Sequence, residues 1–231
     1  MDPQTSMEQL FDTLVRGDRP VARQILQDLR HLGHDRLITD IFWPTYETLE
    51  RLYREDQLST LGYRLATRML RTLVDQAAFD LPRTAPQGRS VLLISGPAEG
   101  DELGGQMAAD LLEASGFAVC FAGGGVPGDE IMAHVNRNHP DILLMFASAP
   151  SDLPEIRRII DTIRENNASP ETQIVVGGGV FNRAQGLAEE IGADLWAQDP
   201  LDLIDEISEN PGHRADEHQR TVGRNRRAKA A

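Results

Sequence analysis

The chain has 231 residues, 40% of them hydrophobic, which is enough for one large or two small domains with a true core and too apolar for a disordered chain. Its formal net charge of −13 opposes binding to a nucleic-acid backbone, which needs clustered Lys and Arg. No apolar run approaches the roughly 20 residues that cross a bilayer, the start MDPQTSMEQLF lacks the basic-then-apolar order of a signal peptide, and a single cysteine excludes an internal disulfide. A cytoplasmic protein with no membrane partner and no direct nucleic-acid partner is expected.

The first 80 residues carry helical periodicity. Met7, Leu10, Phe11 and Leu14 recur on one face until Gly17 and Asp18 interrupt it, and Asp18 is placed to cap a second helix with Pro20 in its first turn. Gly33 is the expected end of that helix. A third helix carries Leu37, Ile38, Ile41, Phe42, Leu49, Leu52 and Tyr53, with a kink expected at Pro44, whose ring removes a backbone donor. Ser59 then caps a fourth helix on which Leu61, Leu65, Met69 and Leu73 share a face. Helices joined by short turns predict a four-helix bundle over 1–80.

Residues 81–89 are the expected linker, because Pro82, Pro86 and Gly88 fall together with little apolar content. Beyond it the strand-length runs VLLIS, FAVCFA, DILLMFA, QIVVGG and ADLWA alternate with amphipathic stretches at 103–115, 128–138, 153–167, 183–191 and 201–209. Strands apolar on both faces with helices between them predict a five-stranded parallel sheet covered on both sides. This is a doubly wound, flavodoxin-like (Rossmann-like) α/β domain over 90–209. Cys120, inside FAVCFA, is expected to be a buried and inert thiol. Residues 210–231 set Arg214, Arg220, Arg224, Arg226, Arg227 and Lys229 against Asp216 and Glu217 with almost no large apolar side chains, and are expected to form a disordered basic tail.

In a doubly wound sheet, ligands lie beyond the carboxyl ends of the strands. The loops there are small and rich in glycine, at Gly96 to Gly104, Gly123 to Pro127, Ala147 to Ser151 and Gly177 to Phe181, so that backbone can approach a bulky ligand. A dinucleotide site is excluded: the first turn lacks GxGxxG and is acidic, which would repel a pyrophosphate. A phospho-accepting receiver domain needs an aspartate ending the third strand and a lysine ending the fifth, where Phe146-Ala147 and Ala197-Gln198 stand instead. Flavodoxin-type flavin binding would use a Ser/Thr-rich phosphate loop and aromatic walls, and neither occurs. Ser95, Ser148 and Ser151 have no histidine nearby in sequence, so an enzymatic centre is not expected.

The first of these loops carries Glu99-x-Asp101-x-x-Gly104, close to an acid-x-His-x-x-Gly signature. With the helical segment before it and Gly177-Gly178-Gly179 after the fourth strand, the chain resembles the cobalamin-binding unit of methionine synthase, of corrinoid methyltransferase partner proteins and of light-responsive cobalamin-dependent repressors. The run VFNRAQGLAEEIGADLWAQDP is most similar to the regulatory, light-responsive branch. The resemblance implies a cobalamin cofactor under a helical cap. It also implies a serine contact to the buried nucleotide tail, at a position that falls at or beside Ala147 and Ser148, and a passage for that tail at Gly177, Gly178 and Gly179 beside Phe181.

Two positions depart from that pattern. The lower-ligand histidine falls on Asp101, while Glu99, Glu102, Leu103 and Gly104 keep the pattern around it; in the cap, where relatives carry a tryptophan and then Glu-His over the upper cobalt face, this chain has Tyr53, then Tyr63 and Arg64. Imidazole suits cobalt, whereas carboxylate is a harder donor that suits Mg, Ca or Mn, so Asp101 is a poor metal ligand. An aspartate opening a helix accepts backbone N–H bonds and complements the positive helix end by about 0.3–1 kcal/mol, and that role is expected of Asp101 ahead of ligation. Tyr53 and Tyr63 are expected as bundle-core or cap-facing aromatics. The function expected on these grounds is a non-catalytic regulatory or sensory module of the cobalamin-binding type, with a protein partner in a regulatory pathway and compatible with a homo-oligomer. It either binds a corrinoid without histidine ligation or keeps the fold for protein contacts. The alternative is a corrinoid carrier for methyl transfer.

Overall fold

The computed structural model describes residues 3–166 and 169–215, in two compact units that meet in sequence at Thr84 and Ala85. The basic tail from residue 216 onward lies outside the described residues.

The first unit is helical: α1 (Pro3–Arg16), α2 (Arg19–Leu29), a short α3 (His34–Arg36), α4 (Trp43–Arg54) and α5 (Thr60–Phe79). Asp18 caps α2 by accepting from the Val21 amide at 3.2 Å, and Ser59 caps α5 by accepting from the Gly62 amide at 3.1 Å. The second helix stops at Leu29, and a 3-10 turn carries the chain to Gly33, whose φ of +89° no other residue type adopts readily. Between α3 and α4 the backbone widens into a π-helical stretch, Leu37–Phe42, directly before Pro44. A wider turn is one way for a helix to absorb a residue that cannot donate to the carbonyl four positions back. Leu10, Leu14, Ile38, Ile41, Phe42, Leu49, Leu70 and Leu73 are fully buried in this unit. The face expected on α5 is corrected at its first turns: Leu61 is 70% and Leu65 39% exposed, while Gly62, Tyr63 and Ala66 turn inward.

The second unit contains a five-stranded parallel sheet in the order β2-β1-β3-β4-β5. Its strands are β1 (Ser90–Ser95), β2 (Ala118–Gly124), β3 (Ile142–Phe146), β4 (Gln173–Gly177) and β5 (Leu195–Ala197). The helices between and after them are α6 (Glu99–Ala114), α7 (Gly128–Asn138), α8 (Leu153–Asn166), α9 (Gly179–Arg183), α10 (Leu187–Ile191) and α11 (Pro200–Glu209). One face of the sheet packs Leu92, Ile94, Leu143, Met145, Ile174 and Val176 against α7, α8, α9 and α10. The other packs Val91, Leu93, Ile142, Leu144 and Val175 against α6 and α11. Every residue of β3 and β4 is buried, as expected of strands covered on both faces.

Three expectations are corrected here. The strand β2 is an edge strand with most of its residues exposed, so Cys120 is an exposed thiol and not a buried one. The first αβ helix starts at Glu99 and not at 103, because Glu99, Asp101 and Glu102 in its first turn complement the positive helix end. The stretch 183–191 is not one helix: it begins at the last residue of α9, turns at Gly186, which has φ +79°, and continues as the short α10.

The amino-terminal edge of the sheet is tied by polar bonds. The Arg164 guanidinium pairs with both oxygens of the fully buried Asp194 carboxylate, which also accepts from the Ile174 and Ala215 amides. Asp141 accepts from the Ser90 amide at 2.7 Å and its hydroxyl at 2.8 Å. Partial burial pushes the Asp141 carboxyl upward, but the two Ser90 bonds and the nearby Arg89 charge outweigh it and hold the group below the usual carboxylate value. Arg89 itself is lowered, chiefly by burial and against the attraction of Asp141.

Candidate functional site

The carboxyl ends of the strands are stitched to one another by backbone. The Gly96 amide, just past β1, donates to the Phe146 carbonyl at the end of β3 at 2.8 Å, and the Ala147 amide donates to the Gly177 carbonyl at the end of β4 at 3.0 Å. Gly178 has φ +103°, and a Cβ on it would collide with the Ala147 carbonyl oxygen. The turns after β3 and β4 therefore touch main chain to main chain, a contact only glycine permits. Gly124, at the end of β2, is pressed in the same way against the Gly96 carbonyl.

At the β3–β4 end two side chains converge on Gly179. An Arg183 Nη stands 2.7 Å from the place where a Gly179 Cβ would be, and Ser148 Oγ stands 3.7 Å from it. The other Arg183 Nη donates to the Ser148 carbonyl at 2.5 Å. The space a side chain at 179 would take is thus filled by the guanidinium, with the Ser148 hydroxyl beside it.

At the β1–β3 end lies a second cleft of about 240 Å³, floored by Ile94, Ile131, Met145 and Ile156 and bordered by Ser95 and Asp152. Ser95 Oγ and Asp152 Oδ2 are buried there without a hydrogen-bond partner among the described residues. The Asp101 carboxylate lies on the inner side of the first turn of α6, only 1% exposed. It points at Gly96 together with Asp152: both carboxylates crowd the point where a Gly96 Cβ would sit.

Of the residues expected to contact a ligand, Ser148, Gly177, Gly178 and Gly179 come together at the β3–β4 end. Gly104 is buried within α6, and Glu99 sits half-buried at its start. Phe181 is 3% exposed and belongs to the core beneath α8, so its ring fills the interior. Tyr53, Tyr63 and Arg64 belong to the helical unit. There the two tyrosine rings stack on each other at 4.0 Å and 10°, and Tyr63 Oη donates to Glu50 at 2.5 Å, while Arg64 is exposed on α5. Arg183 was not legible as a site residue, since nothing in the run VFNRAQG distinguishes it from a surface cation.

A family model described as the B12 binding domain matches residues 89–204, half of the chain and all five strands of the α/β unit. The chain belongs to the B12-binding domain family. Dimethylamine corrinoid protein 3 of Methanosarcina mazei is 23% identical over 131 residues, 56% of this chain and 77% of that protein. Its namesake in Methanosarcina acetivorans is 24% identical over 160 residues, 68% of this chain and 74% of the relative. Dimethylamine corrinoid protein 1 of Methanosarcina acetivorans is 23% identical over 131 residues, and the chain spans 61% of its length. The fold is shared with the solved structure of the Methanosarcina barkeri monomethylamine corrinoid protein, at a TM-score of 0.77 and 13% identity, over 89% of this chain and 98% of that one. These relatives are corrinoid proteins and not light-responsive repressors, so the regulatory branch expected from the run after β4 is not supported.

Cobalamin is accordingly the cofactor of this B12-binding unit. Its residues fit that group at one end and not at the other. The glycine turn after β4, with the Ser148 hydroxyl beside it, offers a polar group next to backbone without side chains. Position 101 does not suit lower-face ligation, because its donor is a carboxylate, enclosed in the first turn of α6 and facing Asp152.

Proposed function

We propose that this chain is a corrinoid carrier for methyl transfer, holding cobalamin without a protein ligand beneath the cobalt and presenting it to a protein partner that gives or takes the methyl group. The observation that carries the reading is the B12-binding unit itself, with its glycine-lined strand ends, in a chain similar to corrinoid proteins. Bound cobalamin supplies a cobalt centre that accepts and releases a methyl group. The protein's part is to hold and orient it. Ser148 offers a hydroxyl beside the glycine turn after β4, where the nucleotide arm would lie, and position 101 offers a carboxylate and no imidazole.

The test is to incubate the purified chain with hydroxocobalamin or methylcobalamin, desalt, and record the absorbance spectrum. Stoichiometric colour is expected, and paramagnetic resonance of the singly reduced form should show no coupling to a protein nitrogen. The loaded protein should then exchange methyl groups with a methyltransferase partner. A colourless protein after desalting would remove the corrinoid reading; retained colour with no methyl exchange against any corrinoid methyltransferase would remove the carrier role.

A further inference from the structure

One edge of the sheet lacks the features that keep an edge strand single. The strand β2 pairs with β1 on one side, and among the described residues no strand pairs with its other side, where backbone N–H and C=O groups face outward. Natural edges of this kind are guarded by charged side chains or by proline within the strand. Here residues 115–128 contain no Asp, Glu, Lys, Arg or His, in a chain that is 26% charged, and their one proline, Pro127, lies past the strand. The edge is apolar as well as neutral, with Ala118, Cys120, Phe121 and Ala122 exposed.

Neutrality also selects the partner. Two copies of a chain of net charge −13 repel each other wherever acidic surfaces meet, and a basic partner is drawn to those surfaces instead. The uncharged edge is where like-charged copies can approach. The opposite edge strand, β5, has three residues and is flanked by Asp194 and Asp199, and a contact of β2 with β5 would leave each copy open to adding another. Pairing of β2 with β2 closes on a two-fold axis.

Symmetry then limits the register. About a two-fold axis perpendicular to the sheet, antiparallel strands must set one residue opposite its own copy, because sequence neighbours point to opposite faces. The strand follows β1 regularly from Ala118 to Phe121, and Ala122 is an extra residue before Gly123. An axis at Val119 would set Phe121 opposite Phe117, which is buried and unavailable. An axis at Cys120 sets Val119 of each copy opposite Phe121 of the other, on the face shared with Val91 and Leu93. Cross-strand pairs of a β-branched and an aromatic side chain favour such pairing.

We propose that β2 pairs antiparallel with β2 of a second copy, centred on Cys120, so that two five-stranded sheets become one continuous sheet. The inference is independent of the corrinoid reading. Because the paired strands run in opposite directions, the carboxyl ends of the two sheets face away from each other, and each copy keeps its own ligand end.

Cys120 is the sole cysteine, so a disulfide between copies reports this contact alone. Directly opposed residues of antiparallel strands have Cα atoms about 4.5–5.5 Å apart, within the span a disulfide bridges. Sedimentation equilibrium of the reduced full chain should show a concentration-dependent species of twice 25.5 kDa. Added salt should tighten the association, because it screens the repulsion between two acidic chains. Diamide, which takes two electrons and two protons from a pair of thiols, should convert this dimer to a covalent one, and urea should prevent the link. Cys120→Ser should leave the non-covalent dimer intact. Cys120→Lys, which sets two like charges face to face, should weaken it by about tenfold or more. Circular dichroism checks the fold, and Ala118→Lys, at an exposed position of the same strand, serves where Cys120→Lys unfolds. A wild type that stays monomeric, a dimer that survives the folded lysine variant or loosens with salt, or a reduced dimer that diamide does not link would each overturn the assignment. None of these readouts uses cobalamin, so the corrinoid reading stands or falls separately.

Discussion

At Gly178 two constraints coincide, since its φ of +103° is unfavourable for any other residue and a Cβ would overlap the Ala147 carbonyl. Gly186 has a comparable φ, +79°, with nothing within 4 Å of its would-be Cβ. The pair separates backbone strain from steric overlap. Gly186→Ala is expected to cost about 1 kcal/mol, the strain alone, and Gly178→Ala clearly more, about 2–4 kcal/mol, because the two turns must part; urea denaturation of both variants checks the difference, and equal costs would show that the overlap relaxes freely. Asp101 allows an equally direct comparison. Enclosed in the first turn of α6 and facing Gly96, its carboxylate is not offered to a ligand, so Asp101→Asn should leave the spectrum of bound cobalamin unchanged. A shift of the visible bands in that variant would make Asp101 a ligand after all. The sequence placed a carboxylate at this position but could not show which way it turns, because the inner face of a helix's first turn is set by the strand it packs on.

The strands and helices of the α/β unit were legible where burial is complete. In β3 and β4 every side chain is covered, so an unbroken apolar run is itself the signal. The same signal misled for β2, whose run AVCFAGG is as apolar but lies at the sheet edge: strand order, not composition, leaves Cys120 exposed. On α5, Leu61 and Leu65 match a helical stripe with Met69 and Leu73, yet the inward face begins with Gly62, Tyr63 and Ala66, and spacing alone does not say which of two overlapping stripes is covered. The bond from Arg183 to the Ser148 carbonyl belongs to the same class of omissions, because the two residues are distant in sequence and adjacent only once β3 and β4 pair. The tie between the starts of β1 and β3 gives a pH-dependent test at this scale. Asp141 is held below its ordinary value, so the stability it contributes is fully present above that value and is lost as pH falls through the lowered one. Asp141→Asn, which removes the charge and keeps one acceptor for Ser90, is expected to cost about 0.5–1 kcal/mol at pH 7, a figure kept small because the group is largely solvated. The difference from wild type should shrink below about pH 4 and vanish in stronger acid; a difference that persisted unchanged at pH 2 would show that the bond does not depend on ionisation.

Across the whole chain, the passage from one compact unit to the other is the stretch most open to attack. Phe79, the last residue of α5, is 90% exposed, and residues 82–88 are exposed without regular structure before Gln87 bonds to Gly116 and Ser115 at the start of the α/β unit. Proteases need a stretch of chain in extended form, which helix interiors and buried strands withhold and a helix end followed by exposed coil supplies. Chymotrypsin should therefore cut first after Phe79, giving fragments of residues 1–79 and 80–231. The other exposed aromatics are poorer targets, since Phe121 lies within a paired strand and Trp196 within β5. Because the sequence beyond Ile207 contains no aromatic, Leu or Met residue, chymotrypsin leaves the basic tail attached and the two masses are unambiguous. Mass spectrometry of a short native digest reads the result. If the first product instead begins after Phe121 or Trp196, the α/β unit opens more readily than the junction under native conditions.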